Sequence, residues 1–101
     1  MTATANRLTL DGVVRSREAL RYTPAGIPVL EIMLAHASTQ AEAGGERRVE
    51  CEIAAVAFAD VALRLDGVAE GARVVCEGFL ARRYRTGISV ALHVAAFEPV
   101  N

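Results

Sequence analysis

Two clusters of arginine and tyrosine contain the side chains of this sequence that are best suited to bind a ligand. The clusters consist of Arg17, Arg21 and Tyr22, and of Arg82, Arg83, Tyr84 and Arg85. Guanidinium groups bind phosphates through charge-assisted and often bidentate hydrogen bonds, and tyrosine rings stack on unpaired bases. The clusters therefore predict contacts with a single-stranded nucleic acid, although a charged loop is as often plain solvated surface.

The overall charge of the chain argues for weaker binding of nucleic acid than the two clusters alone would suggest. All 11 cationic residues are arginine, but the formal net charge is −1, which argues against nonspecific DNA binding by the field of the whole molecule. Acidic residues collect at Glu42, Glu46, Glu50 and Glu52. A second hypothesis therefore stays open, namely a protein-interaction adaptor whose arginines meet acidic surfaces of partner proteins and whose contact with DNA is incidental.

Catalysis and metal binding are not expected. His36 and His93 lie on different predicted strands, without the spacing of a catalytic triad, and no glycine-rich loop has nucleotide-binding spacing. Cys51, Cys76 and His36 share a predicted inward face, so a zinc site is conceivable, but such a set is more often part of the core. We predict two reduced core cysteines, no enzyme, no cofactor and no metal.

Apolar and polar residues alternate in five stretches, which is typical of half-buried strands. The predicted strands are 6–15, 28–38, 47–58, 71–80 and 87–98. Gly12 and Gly78 interrupt the inward faces of the first and fourth strands, and such glycines mark bulges or tight bends. Apolar outer positions on the first, fourth and fifth strands, such as Val13 and Phe79, predict that a partner subunit covers part of the surface.

After the third strand the apolar spacing becomes helical. Phe58, Val61, Ala62, Leu65 and Ala69 follow this spacing and predict a short helix that plugs the barrel. Asp66-Gly67 is predicted to end the helix, with the glycine in a left-handed cap.

This order of elements predicts one all-β domain over residues 1–101, an OB-fold, that is, a five-stranded Greek-key barrel with one helix between strands three and four. Residues 1–5 are predicted to be frayed, 23–26 to form a turn, 39–46 to be a mobile connection pivoting on Gly44-Gly45, and Glu98-Pro99 to end the last strand. No apolar run is long enough to span a membrane and no leader is evident, so we expect an intracellular protein.

The binding face of an OB-fold uses strands two and three and the loops that join strands one to two and four to five. Both arginine clusters fall on these loops. The predicted nucleic-acid site consists of Arg17, Arg21, Tyr22, Arg82, Arg83, Tyr84 and Arg85, with Arg47 and Arg48 at the start of the third strand.

Several segments resemble a known family. NRLTLDGVV, RYTPAGIPVLEIMLAHAS and GARVVCEGFL resemble the single-stranded DNA-binding proteins, and GIPVLEIMLAHASTQAEAGGERR resembles, within them, the primosomal replication protein N (PriB) family, over roughly residues 6–98. The resemblance implies a cytoplasmic homodimer of OB-folds that binds single-stranded DNA in the replication-restart primosome. It also implies the PriA helicase and the DnaT loader as partners, and no association with membranes.

The resemblance also bears on the site. Arg21 takes the place of a loop cation that the family uses for DNA, and the 82–85 arginines lie in its basic hairpin. Gly45 and Glu50 stand where better-known members have aromatic residues. Because stacking contributes about 1–3 kcal/mol per base, their absence predicts weak binding that depends on charge.

Overall fold

A computed structural model of the protein describes residues 4–100 and contains six strands and one helix. The elements are β1 (Leu8–Arg17), β2 (Arg21–Tyr22), β3 (Pro28–Glu42), β4 (Gly45–Phe58), α1 (Ala59–Asp66), β5 (Arg73–Arg82) and β6 (Val90–Val100). Neighbouring strands follow the order β1-β5-β6-β4-β3, a β1–β3 pairing closes the sheet, and β2 adds to the free edge of β3. All pairings are antiparallel except β4–β6. The predicted five-stranded barrel with one helix is confirmed, and β2 is an additional short strand.

The barrel interior is filled by the inward residues of the strands and by one face of α1. The largest fully buried side chains are Leu30, Leu34, Leu65, Leu92, Val14, Val29, Val74 and Cys76. Ala62 and Leu65 of α1 are buried in this cluster, as the helical spacing predicted. The helix therefore closes one end of the barrel.

Two glycines allow strands to cross closely, which confirms the bends predicted at these positions. A Cβ atom on Gly78 would lie 1.7 Å from the carbonyl oxygen of His93, and one on Gly12 would lie 2.6 Å from that of Ala35. The β5–β6 register also shifts between Glu77 and Gly78. Any side chain at Gly78 would collide with the backbone of β6, so the bulge there requires glycine.

The helix differs from the prediction at both ends. Phe58 precedes α1, and its side chain is 43% exposed rather than packed in the core. Gly67 has φ −77°, so the predicted left-handed cap is wrong. The chain instead continues in a tight right-handed turn, with the Val68 N–H bonded to the Leu65 carbonyl, and the left-handed glycine is Gly71, at φ +88° before β5.

The β3–β4 hairpin is longer and more regular than predicted. Its ladder runs from Val29–Phe58 to Glu42–Gly45, and Ala43 and Gly44 have φ +52° and +80°. Two consecutive left-handed residues form the type I′ turn, whose twist matches that of the flanking strands. The prediction of a mobile connection over 39–46 is therefore wrong. We call residues 37–50, which extend beyond the barrel as two paired strands, the ribbon.

The position of the ribbon corrects the prediction for Cys51. Cys51 pairs with His36 at the base of the ribbon and is exposed, because the barrel interior begins only two residues later on β4. Alternation continues along the strand, but no layer covers that face. Cys76 is buried as predicted, and burial raises the pKa of its thiol to about 11.

The candidate zinc ligands accordingly do not meet, since Cys51 lies outside the barrel and Cys76 inside it. Within residues 4–100, no group of His, Cys, Asp and Glu side chains could hold a metal ion. In the same part of the chain no helix is both long and apolar enough to cross a membrane.

The last strand begins later and ends later than predicted. Ile88, which falls in the predicted strand 87–98, is 96% exposed, because β6 begins only at Val90. Pro99 does not end the strand, since the ladder continues with Val74–Pro99 and Arg73–Val100. At that end β6 pairs with β5 but no longer with β4, so one side of β6 is a free edge. Proline is tolerated on such an edge, because the missing N–H is not needed for a second ladder.

At the start of the described chain, Thr4 and Ala5 are exposed and outside any strand, and the fraying predicted for them stays a prediction. The rest of that prediction falls on residues 1–3, which lie outside the described residues. Asn6 already belongs to the fold, because its side-chain amide donates to the Leu80 carbonyl and accepts from the Leu80 N–H.

Candidate nucleic-acid interface

A groove of about 330 Å³ lies between the end of β1, the first half of β3 and the loop after β5. It is lined by Ser16, Arg17, Glu18, Glu31, Ile32, Met33, Arg83 and Tyr84. We call this surface the groove. It lies between the two connections that carry the arginine clusters, and it brings Arg17 of the first cluster close to Arg83 and Tyr84 of the second.

The segment 82–89, which we call the arginine loop, forms one wall of the groove. The Arg83 N–H donates to the Ser89 carbonyl, and the Arg82 guanidinium donates to the Arg85 carbonyl. The Arg83 guanidinium lies over the Tyr84 ring, 5.1 Å from its centroid. These contacts fix the conformation of the loop, and most of its guanidinium donors have no hydrogen-bond partner among residues 4–100.

The arginines of this loop have no acidic partner among residues 4–100. Each ion pair in that part of the chain involves other cations. Over the same residues, the Arg83 Nε is the one buried side-chain nitrogen or oxygen without a hydrogen-bond partner. Such a donor is costly to leave unsatisfied, and an anion in the groove could accept from it.

Arg17 lines the groove, but its guanidinium is engaged in the fold. Its Nη1 donates to the backbone carbonyls of Asp66 and Val68, at the end of α1, and lies 3.7 Å from the Asp66 carboxylate. The last carbonyls of a helix lack partners within the helix, and a cation stabilises them. The structure therefore favours a fold-stabilising role for Arg17 over the predicted DNA contact.

Arg21 and Tyr22 form β2 at the edge of the sheet. The predicted turn after them is confirmed, since the Gly26 N–H donates to the Thr23 carbonyl. Arg21 pairs with Glu31 at 2.8 Å, and the Tyr22 ring is 59% exposed. Because Glu31 lines the groove, this ion pair reduces the repulsion that its carboxylate would exert on a phosphate.

Arg47 and Arg48 lie on the ribbon, away from the groove. Arg47 pairs with Glu42, and Arg48 pairs with Glu50, each at 2.9 Å. All four side chains are largely exposed, so the ion pairs are weak, but they nevertheless reduce the positive charge that the ribbon presents.

A second groove, of about 640 Å³, lies at the base of the ribbon. Its lining consists of Val13, Arg15, Ala35, His36, Ala37, Glu50, Cys51 and Glu52. Arg15 lies 3.7 Å from Glu52. Glu52 is thereby paired, and Glu50 pairs with Arg48, so the arginines beside this surface are neutralised, while its small apolar residues could contact a protein.

His36, at the edge of the second groove, belongs to a network that joins the ribbon to the barrel. Its Nδ1 donates to the Asp11 carbonyl at 2.7 Å, so Nε2, 2.8 Å from the Ser38 hydroxyl, accepts from that group when the ring is neutral. Arg73 donates to the Asp11 carboxylate at 2.8 Å, and this hydrogen bond lowers the pKa of Asp11. His36 therefore has a structural role rather than one as a metal ligand.

The structure also shows three aromatic side chains in a row on the outer surface of the barrel. The His93 ring lies between those of Phe79 and Phe58, with centroid distances of 5.0 and 5.9 Å and interplanar angles of 18° and 22°. We call Phe58, His93 and Phe79 the aromatic row. The sequence analysis places Phe79 on the outer face but assigns Phe58 to the helix that plugs the barrel, so it misses the row.

Comparison with known proteins identifies the family. A sequence model described as another single-strand binding protein family matches residues 6–96. The replication restart protein PriB of Bordetella pertussis is 44% identical over 89 residues, which cover 88% of this chain and 83% of that protein. This chain belongs to the PriB family of single-strand binding proteins. The resemblance found in the sequence is thereby confirmed.

Solved structures agree with the PriB assignment. The PriB structure from Ralstonia solanacearum superposes with a TM-score of 0.89 at 35% identity, over 97% of this chain and 100% of that one. A single-stranded DNA binding protein from Thermus aquaticus superposes with a TM-score of 0.77 at 25% identity, over 96% of this chain and 50% of that one.

In this PriB family member the predicted site residues divide into three groups. Arg17, Arg83 and Tyr84 line the groove, with Arg82 and Arg85 beside them on the arginine loop. Arg21 and Tyr22 lie at the sheet edge, next to β3. The third group consists of Arg47 and Arg48 on the ribbon, and each of these arginines pairs with a glutamate. The first group offers the largest number of unused donors.

Proposed function

We propose that the protein binds single-stranded DNA, with the arginine loop as its main phosphate-binding element, and takes part in replication restart in the cytoplasm. The observation that carries this proposal is the set of three arginines beside the groove that have no acidic partner among the described residues, 4–100. The unpartnered Nε of Arg83 and the relatives named as replication restart proteins support it.

The charges around the groove indicate how strong this binding is. Arg21 neutralises Glu31, but Glu18 adds a carboxylate to the lining, and the chain has a net charge of −1. If the three loop arginines each contact one phosphate, log K falls with log salt with a slope of about −2, since each contact on a single strand contributes about −0.7. We therefore expect modest affinity that depends steeply on salt.

We further propose that the protein acts as a homodimer and joins the DNA to the PriA helicase and the DnaT loader. This part rests on the family resemblance and on exposed apolar residues such as Val13, which is 37% exposed. The second groove also supports an alternative in which the protein is chiefly an adaptor between proteins. Its acidic and apolar lining suits a protein surface better than a phosphate backbone.

The test is fluorescence anisotropy of a labelled oligo-dT, titrated with the protein at low and at physiological salt. The proposal predicts saturable binding at low salt that weakens steeply as salt rises. An absence of binding even at low salt would contradict it and favour the adaptor. A slope near zero would also contradict it, because it would show that phosphate neutralisation does not drive binding.

A further inference from the structure

We propose that the carboxylate of Glu31 accepts hydrogen bonds from the bases of bound single-stranded DNA and gives the groove a preference for guanine. The inference rests on the proposed function and deepens it, because it names the base that the groove accepts best. The lining of the groove combines arginines with carboxylates. A ligand that suits both has an anionic part and, beside it, a hydrogen-bond donor, and a nucleotide has both.

The opposite charges share the groove without contacting each other. Arg83, on the arginine loop, and Glu31, on β3, both belong to the lining. Within residues 4–100, Glu31 pairs with Arg21 and Arg83 pairs with no acid. The Arg83 Nε is buried and has no hydrogen-bond partner in that part of the chain. The cavity that both residues line therefore offers a ligand one cationic and one anionic contact.

The size and the charges of the groove determine how a nucleotide lies in it. Its volume of about 330 Å³ is near the lower limit of small-ligand sites, roughly 300–1,000 Å³, and suits a single nucleotide. Arg83 attracts the phosphate and Glu31 repels it, so the phosphate lies at the arginine loop. The base is then directed towards the outward residues of β3, which here are Glu31 and the partly buried Met33.

The ion pair with Arg21 holds the Glu31 carboxylate in place and leaves it able to accept further hydrogen bonds. Arg21 donates to Oε2 at 2.8 Å, and no hydrogen bond among residues 4–100 uses Oε1. An ionised carboxylate is an acceptor only, and each of its oxygens has two lone pairs. The side chain of Glu31 is only 25% exposed, so fewer water molecules compete with a base for it.

The donor pattern of the bases makes guanine the best partner for this carboxylate. Guanine has two adjacent donors, N1–H and the N2 amino group, which can donate in parallel to the two oxygens of one carboxylate. Cytosine and adenine each offer one amino group. The N3–H of thymine lies between two carbonyl oxygens, which a carboxylate repels. Because the bases of a single strand are unpaired, these edges are free to contact the protein.

Glu18 also lines the groove but is less suited to this role. Its backbone N–H donates to the Glu31 carbonyl, which places it beside Glu31. Its side chain is exposed and has no hydrogen-bond or ion-pair partner among residues 4–100. Fixing this carboxylate against a base would therefore cost more conformational entropy than using the carboxylate that Arg21 already holds.

The first experiment uses the wild-type protein alone and so does not depend on the folding of a variant. Anisotropy at low salt measures binding to labelled strands of equal length: oligo-dT, and oligo-dT in which every third residue is replaced by deoxyguanosine or by deoxyinosine. The spacing of the guanines prevents the four-stranded structures that runs of guanine form. We expect the guanine strand to bind about fivefold more tightly than oligo-dT. The deoxyinosine strand, which keeps N1–H but lacks the N2 amino group, should bind about as oligo-dT does.

The second experiment repeats these titrations with three variants. Glu31→Gln should abolish the preference for the guanine strand, while its affinity for oligo-dT should stay the same or rise, because a negative charge is removed. Glu50→Gln is the matched control, since Glu50 also pairs with an arginine, at 2.9 Å, but lies outside the groove. This variant and Glu18→Gln should both keep the wild-type ratio of the two affinities. The ratio is the readout because a general change in charge affects both strands alike.

Equal binding of the guanine strand and oligo-dT by the wild type would overturn the inference, as would an unchanged ratio in Glu31→Gln. A ratio lost in Glu18→Gln and kept in Glu31→Gln would also overturn it, because the contact would then belong to Glu18. If the wild type binds neither strand at low salt, the proposed function fails together with the inference. If it binds both strands equally and with a steep salt dependence, the inference fails alone.

Discussion

Two hairpins extend from the barrel, and their arginines differ in how far the protein itself satisfies them. On the ribbon, Arg47 and Arg48 lie on paired strands and each contacts a carboxylate. On the arginine loop, the chain leaves the ladder at Arg82, and none of its arginines contacts an acid within residues 4–100. The first hairpin is regular and internally neutralised, and the second is irregular and cationic.

This difference shows that the number of arginines in a segment is a poor measure of its affinity for phosphate. In a two-stranded ribbon, cross-strand and same-strand neighbours come within reach of one another, so interspersed acids and arginines pair. Beyond Arg82 the arginine loop is not part of such a ladder, and its own sequence contains no acid, so it offers no such pairs within itself. The free donors on the arginine loop therefore follow from its local composition together with its exposed position.

The largest expected effect comes from removing the loop arginines. The triple variant Arg82→Ala/Arg83→Ala/Arg85→Ala should weaken binding of oligo-dT at low salt by about ten- to a hundredfold and flatten the salt slope by up to about 2. The matched control is Arg47→Ala/Arg48→Ala, which should change affinity by less than about threefold. An equal loss for both variants, measured by anisotropy over a salt series, would abolish the distinction between the hairpins.

Arg17 extends the comparison to an arginine of the predicted site that is engaged in the fold. Arg17→Ala should lower the free energy of unfolding by about 1–2 kcal/mol, because it leaves two carbonyls at the end of α1 without a charged donor. Urea denaturation followed by circular dichroism measures this change. The DNA affinity of the folded variant should stay close to that of the wild type. A large loss of affinity at unchanged stability would show that Arg17 contacts DNA.

The smallest effect concerns the turn that makes the ribbon regular. Ala43 has φ +52°, a conformation that costs alanine about 1 kcal/mol or more, so Ala43→Gly should raise the free energy of unfolding by about 0.5 kcal/mol after the added entropy of the unfolded chain. Ala41→Gly, in the adjacent strand, should lower it by about 0.5–1 kcal/mol. Urea denaturation of both variants checks the two signs, and a destabilised Ala43→Gly variant would show that the turn is not left-handed there.

Individual residues show which features of the candidate site the sequence could indicate. Residues of both arginine clusters line one groove, because loop positions in this fold follow from the order of the strands. Arg17 could not be recognised as a helix cap from the sequence, because its two carbonyl partners are 49 and 51 residues away along the chain. Phe58 lies at the junction of a strand and a helix and fits both the strand alternation and the helical spacing. Only the packing of α1 left its side chain on the surface.

By itself the sequence determined the barrel, its helix, the glycine bends and the family, because these depend on local periodicity, on backbone sterics and on motifs within single segments. Only the tertiary structure decided where the barrel interior ends on β4, which placed Cys51 outside it. It also decided which arginines find carboxylates or carbonyls and which aromatic rings meet across strands. Each of these outcomes depends on the distance between residues far apart in the chain, and periodicity within one segment contains no information about that distance.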